Sequence, residues 1–136
     1  MLDLILCVDD DPITLMLCKK VIGKSSFSNE IITAKNGEEA IHFFDNIKQN
    51  SSENETPNIP QLILLDLNMP IMGGWEFLDC FSTETYAEFN SVKVVILSST
   101  IDPEDLNNAK KYPVVIDFLP KPVTTTMLEY LAEKIK

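Results

Sequence analysis

The sequence predicts an α/β fold: a doubly wound, five-stranded parallel sheet with helices on both faces. Three observations predict it. Short runs that are apolar throughout, such as LILCV at residues 4–8 and LILL at residues 62–65, read as strands buried on both sides. Segments with helical period lie between them. The two kinds alternate five times within 136 residues, a length that suits a single domain spanning residues 1–136.

The elements follow in order. Residues 4–8 form the first strand, and Asp11-Pro12 starts a helix, with Asp11 as N-cap and Pro12 in the first turn. Ile13, Leu17 and Val21 are its predicted inner face. Residues 31–34 (IITA) are a shorter second strand. Asn36-Gly37-Glu38-Glu39 is a capping-box start, and Ala40, Phe43, Phe44 and Ile47 follow at helical spacing. Residues 50–60 (NSSENETPNIP) are polar and interrupted by proline, as an exposed loop would be. Residues 62–65 are the third strand, 69–74 a turn and 75–81 a short helix. Residues 82–91 read as a long connection to the fourth strand at 92–97. Asp102-Pro103 repeats the cap-plus-proline start for a fourth helix. Residues 114–119 are the fifth strand, and the last helix carries Leu128, Leu131, Ala132 and Ile135 on one face.

Charge narrows the function classes. The formal net charge is −10, and every basic residue is lysine. That argues against nucleic acid, which selects clustered positive charge, and equally against anionic lipid. No apolar run approaches the roughly 20 residues of a membrane span. No basic leader precedes the first strand, so a cytoplasmic location is expected. Cys7, Cys18 and Cys80 have no metal-binding spacing; Cys7 and Cys18 sit in apolar runs as small buried hydrophobes. His42 falls on the polar face of the second helix, and Trp75 packs at the start of the third.

In a parallel doubly wound sheet, ligands sit at the carboxyl ends of the strands. Strand one ends in Asp9-Asp10-Asp11, strand three in Asp66, strand four in Ser98-Ser99-Thr100, and strand five in Lys121-Pro122. Carboxylates, a hydroxyl and an ammonium therefore converge on one edge. Two charges about 4 Å apart repel by roughly 4 kcal/mol at an effective dielectric of about 20, so clustered carboxylates call for a cation. Oxygen donors suit Mg²⁺, which also shares substrate phosphates. A carboxylate can itself attack phosphorus to form an acyl phosphate. No glycine-rich phosphate cradle follows strand one, which disfavours a nucleotide or flavin cofactor.

The motifs VDDDP, LLDLNMPIMGG, ILSS and DFLPKP, in this order and spacing, resemble the receiver domain of two-component response regulators, similar to the single-domain chemotaxis regulators. The resemblance covers essentially the whole chain. It implies a flavodoxin-like (βα)5 fold with strand order 2-1-3-4-5. It implies Asp66 as phosphoacceptor in a reaction dependent on Mg²⁺ (or Mn²⁺), with metal ligation by Asp9, Asp10, Asp66 and the backbone carbonyl of Asn68. Asp10 would be the direct ligand of the acid pair and Asp9 would act through water. Ser98 would bind the phosphoryl group, Lys121 would pair with it, and Phe118 would be the aromatic switch that follows Ser98. A cis peptide at Lys121-Pro122 is implied too. The implied partners are a histidine kinase or histidine phosphotransfer protein and a protein target that the sequence does not identify. Such a domain is not a conventional enzyme, since it catalyses only its own phosphorylation and dephosphorylation.

The chain departs from the family pattern in several places: Ser98 stands where threonine is commoner, Phe118 lacks the tyrosine hydroxyl many members carry, Gly73 replaces a frequent Asp, Asn or Ser, and the connection at 82–91 and the loop from residue 50 are longer than usual. Two alternatives compete. A Mg²⁺-dependent haloacid-dehalogenase-like phosphohydrolase would use the DxD-like Asp9-Asp10-Asp11, but Ile13 and the lack of a late acid pair count against it. A receiver-like module that is never phosphorylated would have no need of Asp9, Asp10, Asp66, Ser98 and Lys121 together.

Overall fold

The computed structural model describes residues 2–50 and 58–135. The exposed loop read at residues 50–60 lies, for residues 51–57, outside the described residues. Five parallel strands form one sheet in the order β2-β1-β3-β4-β5: β1 (Leu2–Val8), β2 (Ser28–Ala34), β3 (Leu62–Leu65), β4 (Lys93–Ser98) and β5 (Val115–Pro120). The helices are α1 (Pro12–Lys24), α2 (Gly37–Asn50), α3 (Gly74–Phe81), α4 (Pro103–Ala109) and α5 (Thr125–Ile135). The doubly wound fold and the strand order match the sequence-based expectation.

The sheet separates two cores. On one face Leu6, Val8, Ile63, Leu65, Val94 and Ile96 pack with α2 and α3. On the other, Ile5, Cys7, Leu62, Leu64, Val95 and Leu97 pack with α1 and α5. Alternate residues of each central strand serve opposite cores, which is why β3 and the stretches Leu4–Val8 of β1 and Val94–Leu97 of β4 are apolar throughout. Cys7 and Cys18 are buried and free, as small hydrophobes.

The caps form as the sequence predicts. Asp11 accepts from the Ile13 N–H at 2.9 Å, and Asp102 accepts from the Glu104 N–H at 2.9 Å. Asn36 accepts from the Glu39 N–H at 2.9 Å, while the Glu39 carboxylate reaches back to the Lys35 N–H at 3.0 Å, one residue before the cap. Asp102→Ala is expected to cost about 1 kcal/mol, because it removes the cap of a two-turn helix. A thermal melt of both proteins checks this; an unchanged midpoint would mean the cap carries no weight.

Three sequence-based expectations need correction. Of the predicted inner face of α1, Val21 packs toward the core but Ile13 and Leu17 do not. Ile13 and Leu17 are 63% and 43% exposed, and Cys18 and Ile22 face the sheet, with Leu15 and Val21 alongside. Five of the six residues from Ile13 to Cys18 are apolar, so helical period alone cannot select the buried phase. Ala132 of α5 is exposed, while Leu128 and Leu131 are buried. The long connection at 82–91 folds into a 3₁₀ helix at Glu84–Phe89. Its Tyr86 and Phe89 turn inward; Phe89 meets Phe44 and Phe81 at ring-centroid distances of 4.9 and 6.3 Å. The Tyr86 hydroxyl donates to Asp45 of α2 at 2.8 Å. His42 is exposed and Trp75 stacks on Tyr112, both in keeping with their predicted structural roles.

Candidate functional site

The strand register builds the site. Val8 pairs with Leu65, so the residues that follow them, Asp9 and Asp66, leave the sheet side by side. The Asp66 N–H donates to Val8 O at 2.9 Å, and the Asp9 N–H to Ala34 O at 3.0 Å, continuing the ladder past the strand ends. Ser98 pairs with Pro120, and the Lys121 N–H donates to Ser98 O at 2.8 Å. The expected edge, carrying Asp9, Asp10, Asp66, Ser98 and Lys121, is therefore assembled. Lys121-Pro122 is cis.

Asp9, Asp10 and Asp66 each present a carboxylate oxygen, and these oxygens lie within 4.8 Å of one another. Asp9 and Asp66 are buried and Asp10 is exposed. The Lys121 ammonium sits between the two buried carboxylates, 2.6 Å from Asp9 Oδ2 and 3.1 Å from Asp66 Oδ1. Asp9 Oδ1 also accepts from the Asp11 N–H at 3.0 Å, so both of its oxygens are engaged. Burial pushes the Asp66 carboxyl above its ordinary range, and the charge of Asp9 adds to this; Lys121 and the Leu67 N–H oppose it. Burial works to lower the Lys121 ammonium, but its bonds to Asp9 and Asp66 outweigh that and raise it.

One ammonium does not balance three carboxylates. The all-oxygen donor set, with one member open to solvent, fits a hard divalent cation such as Mg²⁺. Asn68 is exposed in the loop that follows Asp66, at the same edge.

Ser98 is buried, and its hydroxyl is engaged by the backbone of Thr100. It donates to Thr100 O at 2.6 Å and accepts from the Thr100 N–H at 3.3 Å. Phe118 is half-buried against the α2/α3 core. Sequence reasoning missed two contributors. Thr100 holds the Ser98 hydroxyl through its backbone, which no side-chain signal reveals. Gly74 opens α3 directly under Asp66: a Cβ there would lie 2.5 Å from Asp66 O and 3.0 Å from Leu67 Cα. The Gly73-Gly74 doublet was its only trace in the sequence.

Comparison with known proteins agrees with this geometry. The family described as response regulator receiver domain matches residues 5–133. A solved two-component response regulator from Cytophaga hutchinsonii is 30% identical, with a TM-score of 0.86, covering 98% of this chain and 96% of that one. The nitrate/nitrite response regulator protein NarL of Escherichia coli is 32% identical over 107 residues, 79% of this chain and 43% of NarL. Response regulator Rcp1 of Synechocystis is 30% identical over 102 residues, 75% of this chain and 65% of Rcp1. The chain thus spans less than two thirds of the length of these curated relatives. The match sets aside the phosphohydrolase alternative, and with the 2-1-3-4-5 sheet and its acidic edge it assigns the chain to the receiver domains of two-component response regulators.

Proposed function

We propose that Asp66 accepts a phosphoryl group from a histidine kinase or histidine phosphotransfer protein in the cytoplasm, and that residues 1–136 act as a single receiver domain that signals through a protein partner. The observation that carries this reading is the seat of Lys121 between Asp9 and Asp66, beside the exposed carboxylate of Asp10. Among the described residues no helix is long and apolar enough to cross a membrane.

In the proposed reaction an oxygen of the Asp66 carboxylate attacks phosphorus. The new O–P bond replaces the bond from phosphorus to the imidazole nitrogen of the donor phosphohistidine, whose electron pair leaves with the imidazole. Asp9, Asp10, Asp66 and the Asn68 carbonyl would hold Mg²⁺ (or Mn²⁺), which when bound offsets the charge of the transferring group. Lys121 exchanges its contact with Asp66 for a phosphoryl oxygen while keeping its hold on Asp9. Ser98 leaves Thr100 and donates to another phosphoryl oxygen. Phe118 then repacks. Without a ring hydroxyl it acts through shape alone, as a shift between two populations of one fold. Water later hydrolyses the acyl phosphate and restores Asp66.

Intact-mass spectrometry after incubation with acetyl phosphate tests the reading. Wild type is expected to gain one phosphoryl group only when Mg²⁺ is present, and Asp66→Asn to gain none. A folded wild type that takes up no phosphoryl group from either acetyl phosphate or a phosphorylated histidine phosphotransfer protein would favour a receiver-like module that works by binding alone.

A further inference from the structure

β5 is the outer strand on its side of the sheet, and its free side has no strand partner among the described residues. Residues 115–119 are all half-buried, and four of the five are apolar. An apolar edge strand of this kind is a template for pairing with another chain. The obvious partner is β5 of a second copy, because a two-fold axis brings identical edges together.

The backbone of β5 shows how this is prevented. In a parallel ladder successive N–H groups point alternately toward and away from the neighbouring strand. The Lys121 N–H donates to Ser98 O of β4, so the nitrogens of Pro120 and Phe118 lie on the alternate register, facing outward. Pro120 has no N–H to offer. The Phe118 N–H is already taken, donating to Asp117 Oδ1 at 2.8 Å. The other oxygen, Asp117 Oδ2, accepts from the Tyr130 hydroxyl at 2.6 Å and the Lys134 ammonium at 3.1 Å, both on α5. Lys134 also lies over the Tyr130 ring, 5.6 Å from its centroid. Asp117 is thus clamped across the outward face of β5. In an antiparallel pair centred on this residue, two carboxylates would face each other, which opposes pairing further.

We infer that Asp117, held by Tyr130 and Lys134, closes the outer edge of β5 against pairing with β5 of a second copy. The clamp also fixes the backbone of Phe118, so the Phe118 side chain can repack without opening the edge.

Amide hydrogen exchange and sedimentation velocity, run on full-length wild type, Asp117→Ala and Tyr130→Phe, test this inference. In wild type the Phe118 amide should be protected although it faces outward. Asp117→Ala should speed its exchange roughly tenfold, the equivalent of one lost hydrogen bond, and leave the ladder-bonded Lys121 amide unchanged. The same variant should self-associate at roughly tenfold lower concentration than wild type, and Tyr130→Phe should shift both readings in the same direction by less. If Asp117→Ala does not fold, Tyr130→Phe carries the test, since it leaves the strand intact. An unprotected Phe118 amide in wild type, or folded variants that match wild type in both readings, would overturn the inference.

Discussion

Lys121→Met is expected to lose about 3 kcal/mol of folding stability in Mg²⁺-free buffer at neutral pH, and to regain part of it when Mg²⁺ is added. The Lys121 side chain is only 18% exposed, and its partners Asp9 and Asp66 are 8% and 10% exposed, so solvent screens the pair weakly. Removing the ammonium leaves two buried carboxylates facing each other. The pH dependence has a definite sign. The folded-state pKa of Asp66 is raised above the ordinary value of 3.8, first by burial and then by Asp9. Protonated Asp66 is therefore favoured by folding: this stability is present below 3.8 and lost as pH rises through the folded pKa. Without Lys121 the loss deepens, so the deficit of the variant should shrink as the pH falls toward the ordinary aspartate range. Urea unfolding with chelator and with Mg²⁺, at neutral and mildly acidic pH, measures this. Equal stability of both proteins in chelator would show that Lys121 does not neutralise the site.

Gly74→Ala should damage the fold and the chemistry together. The added Cβ meets Asp66 O at 2.5 Å and Leu67 Cα at 3.0 Å, both of them backbone, so no flexible side chain can yield. Either α3 moves outward or the peptide that follows Asp66 shifts. The overpacking is expected to cost about 1–3 kcal/mol. Displacing the proposed nucleophile by about 1 Å can slow a reaction by roughly a hundredfold, so phosphoryl uptake from acetyl phosphate should fall at least tenfold. Gly23→Ala is the natural control. Nothing lies within 4 Å of a Cβ at that position, inside α1, so the alanine should stabilise by about 0.5–1 kcal/mol and leave phosphoryl uptake unchanged. Wild-type uptake by Gly74→Ala would show that α3 absorbs the shift without moving Asp66.

The sheet and the polar edge could be read from the sequence because each rests on a local rule. The buried stretches of the central strands are apolar because both faces are covered, and Asp11 and Asp102 cap helices through contacts within three residues. Asp9, Asp66, Ser98 and Lys121 stand directly at strand ends, so parallel register alone brings them together. What escaped depends on contacts between distant segments. The buried phase of α1 is chosen by the sheet, through Cys18 and Ile22, and not by its own nearly uniform apolar run. The 3₁₀ helix exists because Phe89 and Tyr86 find Phe44, Phe81 and Asp45, which lie elsewhere in the chain. The need for glycine at 74 appears only once Asp66 O is placed beneath it.

If Ser98 moves as proposed, the resting bond from its hydroxyl to Thr100 O would act as a latch, and its strength would bear on how quiet the protein is before any donor arrives. Thr100 is exposed, so water can take over its carbonyl when Ser98 turns away. The net worth of such a bond is about 0.5–1.5 kcal/mol, a bias of roughly two- to twelvefold. Under the proposed function, a latch this weak would hold most molecules in the off position but not all of them. Background output in the absence of phosphate would then be set by two backbone atoms of Thr100, and a substitution that rigidifies that turn would lower, and one that loosens it would raise, the noise floor of the proposed switch without touching Asp66.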